Sequence, residues 1–190
     1  MSGCSLLILV ILSNILVSGS FLPIVNVLVA LFHELGHLLI MYLCGIPLSG
    51  VRFVGFGFQI RQKSVLSYRQ NLLVALGGPV FNILFGGILI LLSYWLKAQV
   101  IAMLILSNFL YAVLNLLPIP PLDGHKILHE VLFSALEYRQ ARIAEKSIQG
   151  VFSTLLVSCL VLLLTFKIFN ISLIVVVLLL LFSLIMSFFS

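Results

Sequence analysis

The chain has 190 residues, 63% of them hydrophobic and 8% charged, with a mean hydropathy of +1.33. Soluble domains run closer to about half apolar and a quarter charged, so a water-soluble globule is excluded, and the long Leu/Ile/Val runs exclude disorder. The net charge of +5 does not point to nucleic acid, because the basic residues form no polar domain with interleaved aromatics.

Apolar stretches of membrane-spanning length fall at about Leu6–Leu22, Pro23–Leu43, Leu72–Leu96, Val100–Leu117, Val151–Phe169 and Ile171–Phe189. The expected fold is therefore an all-α polytopic membrane protein, a single domain over 1–190 with about six transmembrane helices. The first stretch lacks a basic n-region and a small-residue cleavage site, so it reads as a span rather than a removed signal peptide. Cys4, Cys44 and Cys159 show no CxxC spacing and read as small core residues.

Two polar segments, Gly45–Asn71 and Pro118–Gly150, interrupt the hydrophobicity and hold eight of the ten basic residues. The positive-inside bias makes that side cytoplasmic, with Lys97 and Lys167 opposite and both termini inside. Neither segment is long enough for a domain of its own.

The second span places His33, Glu34 and His37 near the middle of an apolar helix. An ionisable group at bilayer depth costs roughly 2.5–3.5 kcal/mol on insertion scales, so three within five residues point to function. Positions i and i+4 set both imidazoles on one helical face, where they can meet one Zn²⁺, and Glu34 beside them can take a proton from a metal-bound water. The alternative is a histidine pair hydrogen-bonded to neighbouring helices.

After this span, Val54, Phe56, Phe58 and Ile60 alternate with Gly55, Gly57, Gln59 and Arg61, which is strand periodicity. The segment reads as a short membrane-associated β-hairpin whose edge can hold an extended peptide, or as a surface loop anchored by its Phe residues. The third span sets Gly78, Asn82 and Gly86 on one face as a small-residue packing seam. Asn82 within it, and Asn115 at the end of the fourth span, are amides that can meet a substrate. For Asn115 a plain helix-ending role is the other option.

A catalytic zinc needs a third protein ligand and an open position, and the candidates are Asp123, His125, His129 and Glu130. Asp123 is the best placed, in NLLPIPPLDGHKIL, where Pro118, Pro120 and Pro121 forbid regular helix; it can equally cap a helix over Lys126–Leu136. His125 and His129 share the i, i+4 spacing, but a solvated helix face accounts for them better. Glu137–Gln149 then reads as an interfacial helix joining the fourth and fifth spans, and Asn170 with Ser172 as the turn of a C-terminal helical hairpin over about 151–190.

With HELGH in the second span, GGPVFN in the third and NLLPIPPLDG ending the fourth, the chain resembles the site-2 protease family of intramembrane zinc metalloproteases. The resemblance implies a catalytic core over about 21–124, one Zn²⁺ per chain held by His33, His37 and Asp123, Glu34 as general base, and Asn82 and Asn115 contacting substrate or a reentrant loop. It also implies cleavage of membrane-tethered substrates within or beside their transmembrane segments, in regulated intramembrane proteolysis. The family commonly has a second glycine after LDG, where this chain has His125. The six-span plan without a PDZ or CBS domain resembles the sporulation-factor-processing branch, in a bacterial cell membrane. Expected partners are a transmembrane protein substrate, the lipid bilayer and regulatory membrane proteins, with no nucleic acid. Two rivals stand beside the protease: an intramembrane divalent-metal transporter or sensor, and a proteolytically dead relative that chaperones membrane segments.

Overall fold

The structure is a computed structural model that describes residues 22–46, 48–54, 57–62, 66–96, 98–165 and 171–189. The first expected span falls almost wholly outside these residues, as do Lys97 and most of the turn expected around Asn170. Six helices are described: α1 (Leu22–Leu43), α2 (Tyr68–Ser93), α3 (Gln99–Asn115), α4 (Asp123–Ala135), α5 (Tyr138–Thr165) and α6 (Ile171–Phe189). Two strands, β1 (Leu48–Val54) and β2 (Gly57–Gln62), lie between α1 and α2 and pair antiparallel. Val54 stands opposite Gly57, Phe53 opposite Phe58 and Arg52 opposite Gln59, with an irregularity in the register between Leu48 and Val51.

Among the described residues three helices, α1, α2 and α5, contain stretches long and apolar enough to cross a membrane. At 1.5 Å per residue the 17 residues of α3 reach about 25 Å, somewhat short of a hydrocarbon layer about 30 Å thick. The pattern of burial on α1 is inverted from that of a soluble helix. Its inward face carries Asn26, His33 and His37 along with Val25, Val29, Ala30 and Met41, while its outward face presents Ile24, Val27, Leu28, Leu31, Leu35 and Leu39. Such an outer surface suits an apolar solvent, with polar groups satisfied inside.

Helix α2 sits at the centre, packed against α1, α3 and α4. It begins with a capping box in which Ser67 Oγ accepts from the Gln70 N–H and Gln70 Oε1 accepts from the Ser67 N–H. Its crossing with α1 depends on two glycines: a Cβ on Gly36 would stand 2.5 Å from the Gly77 carbonyl oxygen, and one on Gly77 2.8 Å from that of Gly36. Backbone therefore lies on backbone, as small-residue faces allow in membranes. Phe32 stacks on Phe85 at 3.9 Å between ring centroids beside this crossing. Helix α1 ends where Gly45 adopts φ +63° and the Ile46 N–H reaches the Met41 carbonyl, a left-handed cap that glycine takes without a Cβ clash.

The proline-rich stretch after α3 turns the chain back into the helices. Ile119 and Leu122 from this stretch pack with Leu180 and Leu184 of α6, which anchors the C-terminal pair to the core. Two sequence expectations are corrected here. Asp123 is the first residue of α4 rather than its cap; the cap position is Leu122, with no side-chain hydrogen bond, and the helix starts three residues before the expected Lys126. The joining helix expected over Glu137–Gln149 and the fifth expected span are not two elements either: from Tyr138 they run without a break as the 28 residues of α5. Gly150 at the junction costs a helix about 1 kcal/mol relative to alanine, too little to stop it, and polarity alone ends nothing.

Candidate metal centre

His33 and His37 come from consecutive turns of α1, on the face that meets α2, and each is 1% exposed. Asp123 arrives at the same point 86 residues later, at the start of α4, and is 4% exposed. Its Oδ2 lies 2.9 Å from His33 Nε2 and 3.1 Å from His37 Nε2, and the two Nε2 atoms are 3.1 Å apart. Among the described residues these three are the group of His, Cys, Asp and Glu whose ligand atoms converge closely enough to hold a metal ion.

The triangle fits zinc. Ligands at about 2.0–2.1 Å in tetrahedral geometry are about 3.3 Å apart, so these edges need to open by only a few tenths of an ångström to accept the ion. His37 is already committed to the required tautomer, because its Nδ1–H donates to the Val74 carbonyl at 2.6 Å, leaving Nε2 as the ligand atom. The Asn82 amide lies 3.5 Å from His33 Nδ1, and its Oδ1 is buried without a hydrogen-bond partner. Turned by 180°, that amide would accept from the Nδ1–H that His33 must carry when Nε2 binds a metal. The Tyr111 ring of α3 meets the His33 ring edge-on at 4.9 Å.

Gly78 makes the convergence possible. A Cβ at this position would stand 2.5 Å from both His33 Cε1 and His37 Nε2, inside the space the ligand atoms share. Gly124 plays the matching part behind Asp123, since a side chain there would collide with the Leu116 and Leu117 carbonyls. The sequence presented Gly78 only as part of a packing seam; its adjacency to the histidines depends on a helix crossing that no local pattern reports.

The other expected site residues fall as follows. Glu34 is next to His33 on α1 and half-buried. Asn115 is buried as the last residue of α3, and its Nδ2 donates to the Tyr111 carbonyl one turn back at 3.0 Å. Glu130 takes no part in the triangle and accepts from Asn71 at 2.8 Å, tying α4 to α2. His125 and His129 face α5 instead, where both approach Glu145. Burial holds the His125 imidazole below its ordinary pKa, against the opposing pull of Glu145.

The sequence matches the model of peptidase family M50 over residues 96–163, a stretch that includes Asn115 and Asp123 and stops short of the two α1 histidines. In fold the chain is similar to the site-2 protease from Methanocaldococcus jannaschii, with a TM-score of 0.64 at 20% identity over 95% of this chain and 86% of that one. No curated protein matches.

Proposed function

We infer, from the match to peptidase family M50 and the shared fold, that this chain is a site-2-type protease that cleaves membrane-tethered proteins within or beside their transmembrane segments. The observation that carries this reading is the meeting of His33, His37 and Asp123 at one buried point with Glu34 alongside. These four residues are of the types that zinc-assisted peptide hydrolysis requires.

In the proposed reaction His33 and His37 would hold the ion through Nε2 and Asp123 through Oδ2. Zinc, when bound, supplies Lewis-acid polarisation of the scissile carbonyl and lowers the pKa of a coordinated water. Glu34 accepts the proton of the attacking water and passes it to the departing amide nitrogen as the C–N bond breaks. The close helix crossing at Gly36 and Gly77 keeps bulk water from that side.

A helical substrate hides its peptide bonds, so it must be held extended before Glu34 can act. The β1–β2 pair is proposed as the edge that adds the unwound segment as a further strand, at the cytoplasmic rim of the membrane. With Asn82 Oδ1 turned to the His33 Nδ1–H, its amide NH₂ is proposed as one polar contact for that strand, and the Asn115 amide oxygen as another. Both chain termini are proposed to be cytoplasmic, and regulation is assigned to membrane partners. A transporter would need successive weak sites along a path, whereas the described residues hold a single convergent group.

Co-expression with single-span candidate substrates tests the reading: wild type yields product and Glu34→Gln does not, although both retain a single zinc per chain. Hydrolysis by purified Glu34→Gln at a rate close to that of wild type, or metal flux into proteoliposomes without proteolysis, contradicts it.

A further inference from the structure

Asp123 gives only one of its two oxygens to the histidines. While Oδ2 faces His33 and His37, Oδ1 accepts a hydrogen bond from the Lys126 ammonium at 2.6 Å. The two residues are i and i+3 in the first turn of α4, so they share a face, and the lysine stem carries its charge inward from a position 35% exposed to a carboxylate 5% exposed. An ion pair to so buried a carboxylate differs from a surface pair, because the charge-assisted bond is short and little screened.

A carboxylate held at neither oxygen can swing to bind a metal through both. That would fill the position a catalytic zinc must keep open for water and substrate. We propose that Lys126 is a positioning residue: by occupying Oδ1 it fixes Asp123 as a one-oxygen ligand through Oδ2 and keeps the remaining coordination position free. The inference rests on the metalloprotease reading of this site and adds to it a residue that touches neither metal nor substrate. It also gives a role to a charge that hydropathy analysis counts only as a marker of the cytoplasmic side.

The test uses the purified full chain, titrated with zinc against a competing chelator and, separately, loaded with cobalt(II) as a spectroscopic probe. Lys126→Met is expected to weaken zinc binding by roughly 10–100-fold, the scale on which outer-shell partners act. Its cobalt spectrum is expected to shift from the intense bands of four-coordination towards the weak bands of higher coordination. Lys126→Arg, which keeps a charged donor, is expected to restore both, and Lys126→Gln serves as a second neutral substitution. Unchanged affinity and an unchanged cobalt spectrum in Met and Gln variants that melt like wild type overturn the proposal, as does an arginine variant that behaves like methionine. Failure of the wild type itself to bind zinc overturns the protease reading as well, so the two failures are told apart.

Discussion

Among the described residues there are two groups of a His pair and an acid, each with its histidines four apart on one helix, and only one has the geometry of a metal site. His33 and His37 on α1 are 1% exposed and close with Asp123 into a triangle of 2.9–3.1 Å edges. His125 and His129 on α4 share one oxygen of Glu145 at 3.9 and 3.0 Å, with ring centroids 6.4 Å apart and side chains 21% and 47% exposed. An i, i+4 pair therefore supplies only two imidazoles on one helical face. What makes a ligand set is a partner helix without side chains at the crossing, here Gly78, and an acid delivered on a separate element to the same point. The second group is an inter-helix latch in which Glu145 hydrogen-bonds His129 and only approaches His125.

Substitutions can break this contrast. The largest effect is expected for His33→Ala, which removes a ligand: metal analysis of the purified protein should find no zinc, and cleavage should fall to background. Glu34→Gln comes next, lowering the cleavage rate by about 10²–10⁴-fold, the usual contribution of a general base, with zinc content unchanged. Gly78→Ala should follow, since its Cβ must displace the ligand nitrogens, and a loss of zinc affinity on the order of tenfold or more is expected in chelator competition. The smallest effect belongs to the other group. With His129 half exposed, His129→Ala should leave zinc content intact and change unfolding free energy by no more than about 1 kcal/mol. Zinc loss in His129→Ala would erase the distinction between the groups.

Much of the better-formed group is legible in the sequence. Histidines four apart with a glutamate between them, set in an apolar run, announce their chemistry locally, and the proline-broken LDG stretch points to Asp123 because regular helix cannot persist there. Gly78 and Lys126 are harder to see, because one acts by absence of volume 41 residues from its nearer histidine and the other through a carboxylate's second oxygen. The error at α5 has a different cause. The charged residues Arg139, Arg142 and Lys146 suggested a boundary before Val151, yet a helix needs a proline, a cap or a strained residue to stop it, and none occurs between Tyr138 and Thr165.

X-ray absorption at the zinc edge, on purified wild type and Asp123→Asn, tests the central claim most directly. Wild type is expected to hold a single zinc per chain with two imidazole nitrogens and carboxylate oxygen at about 2.0–2.2 Å, and the variant to lose or weaken that sphere. A wild-type protein without zinc, or a coordination sphere that Asp123→Asn leaves unaltered, would contradict it.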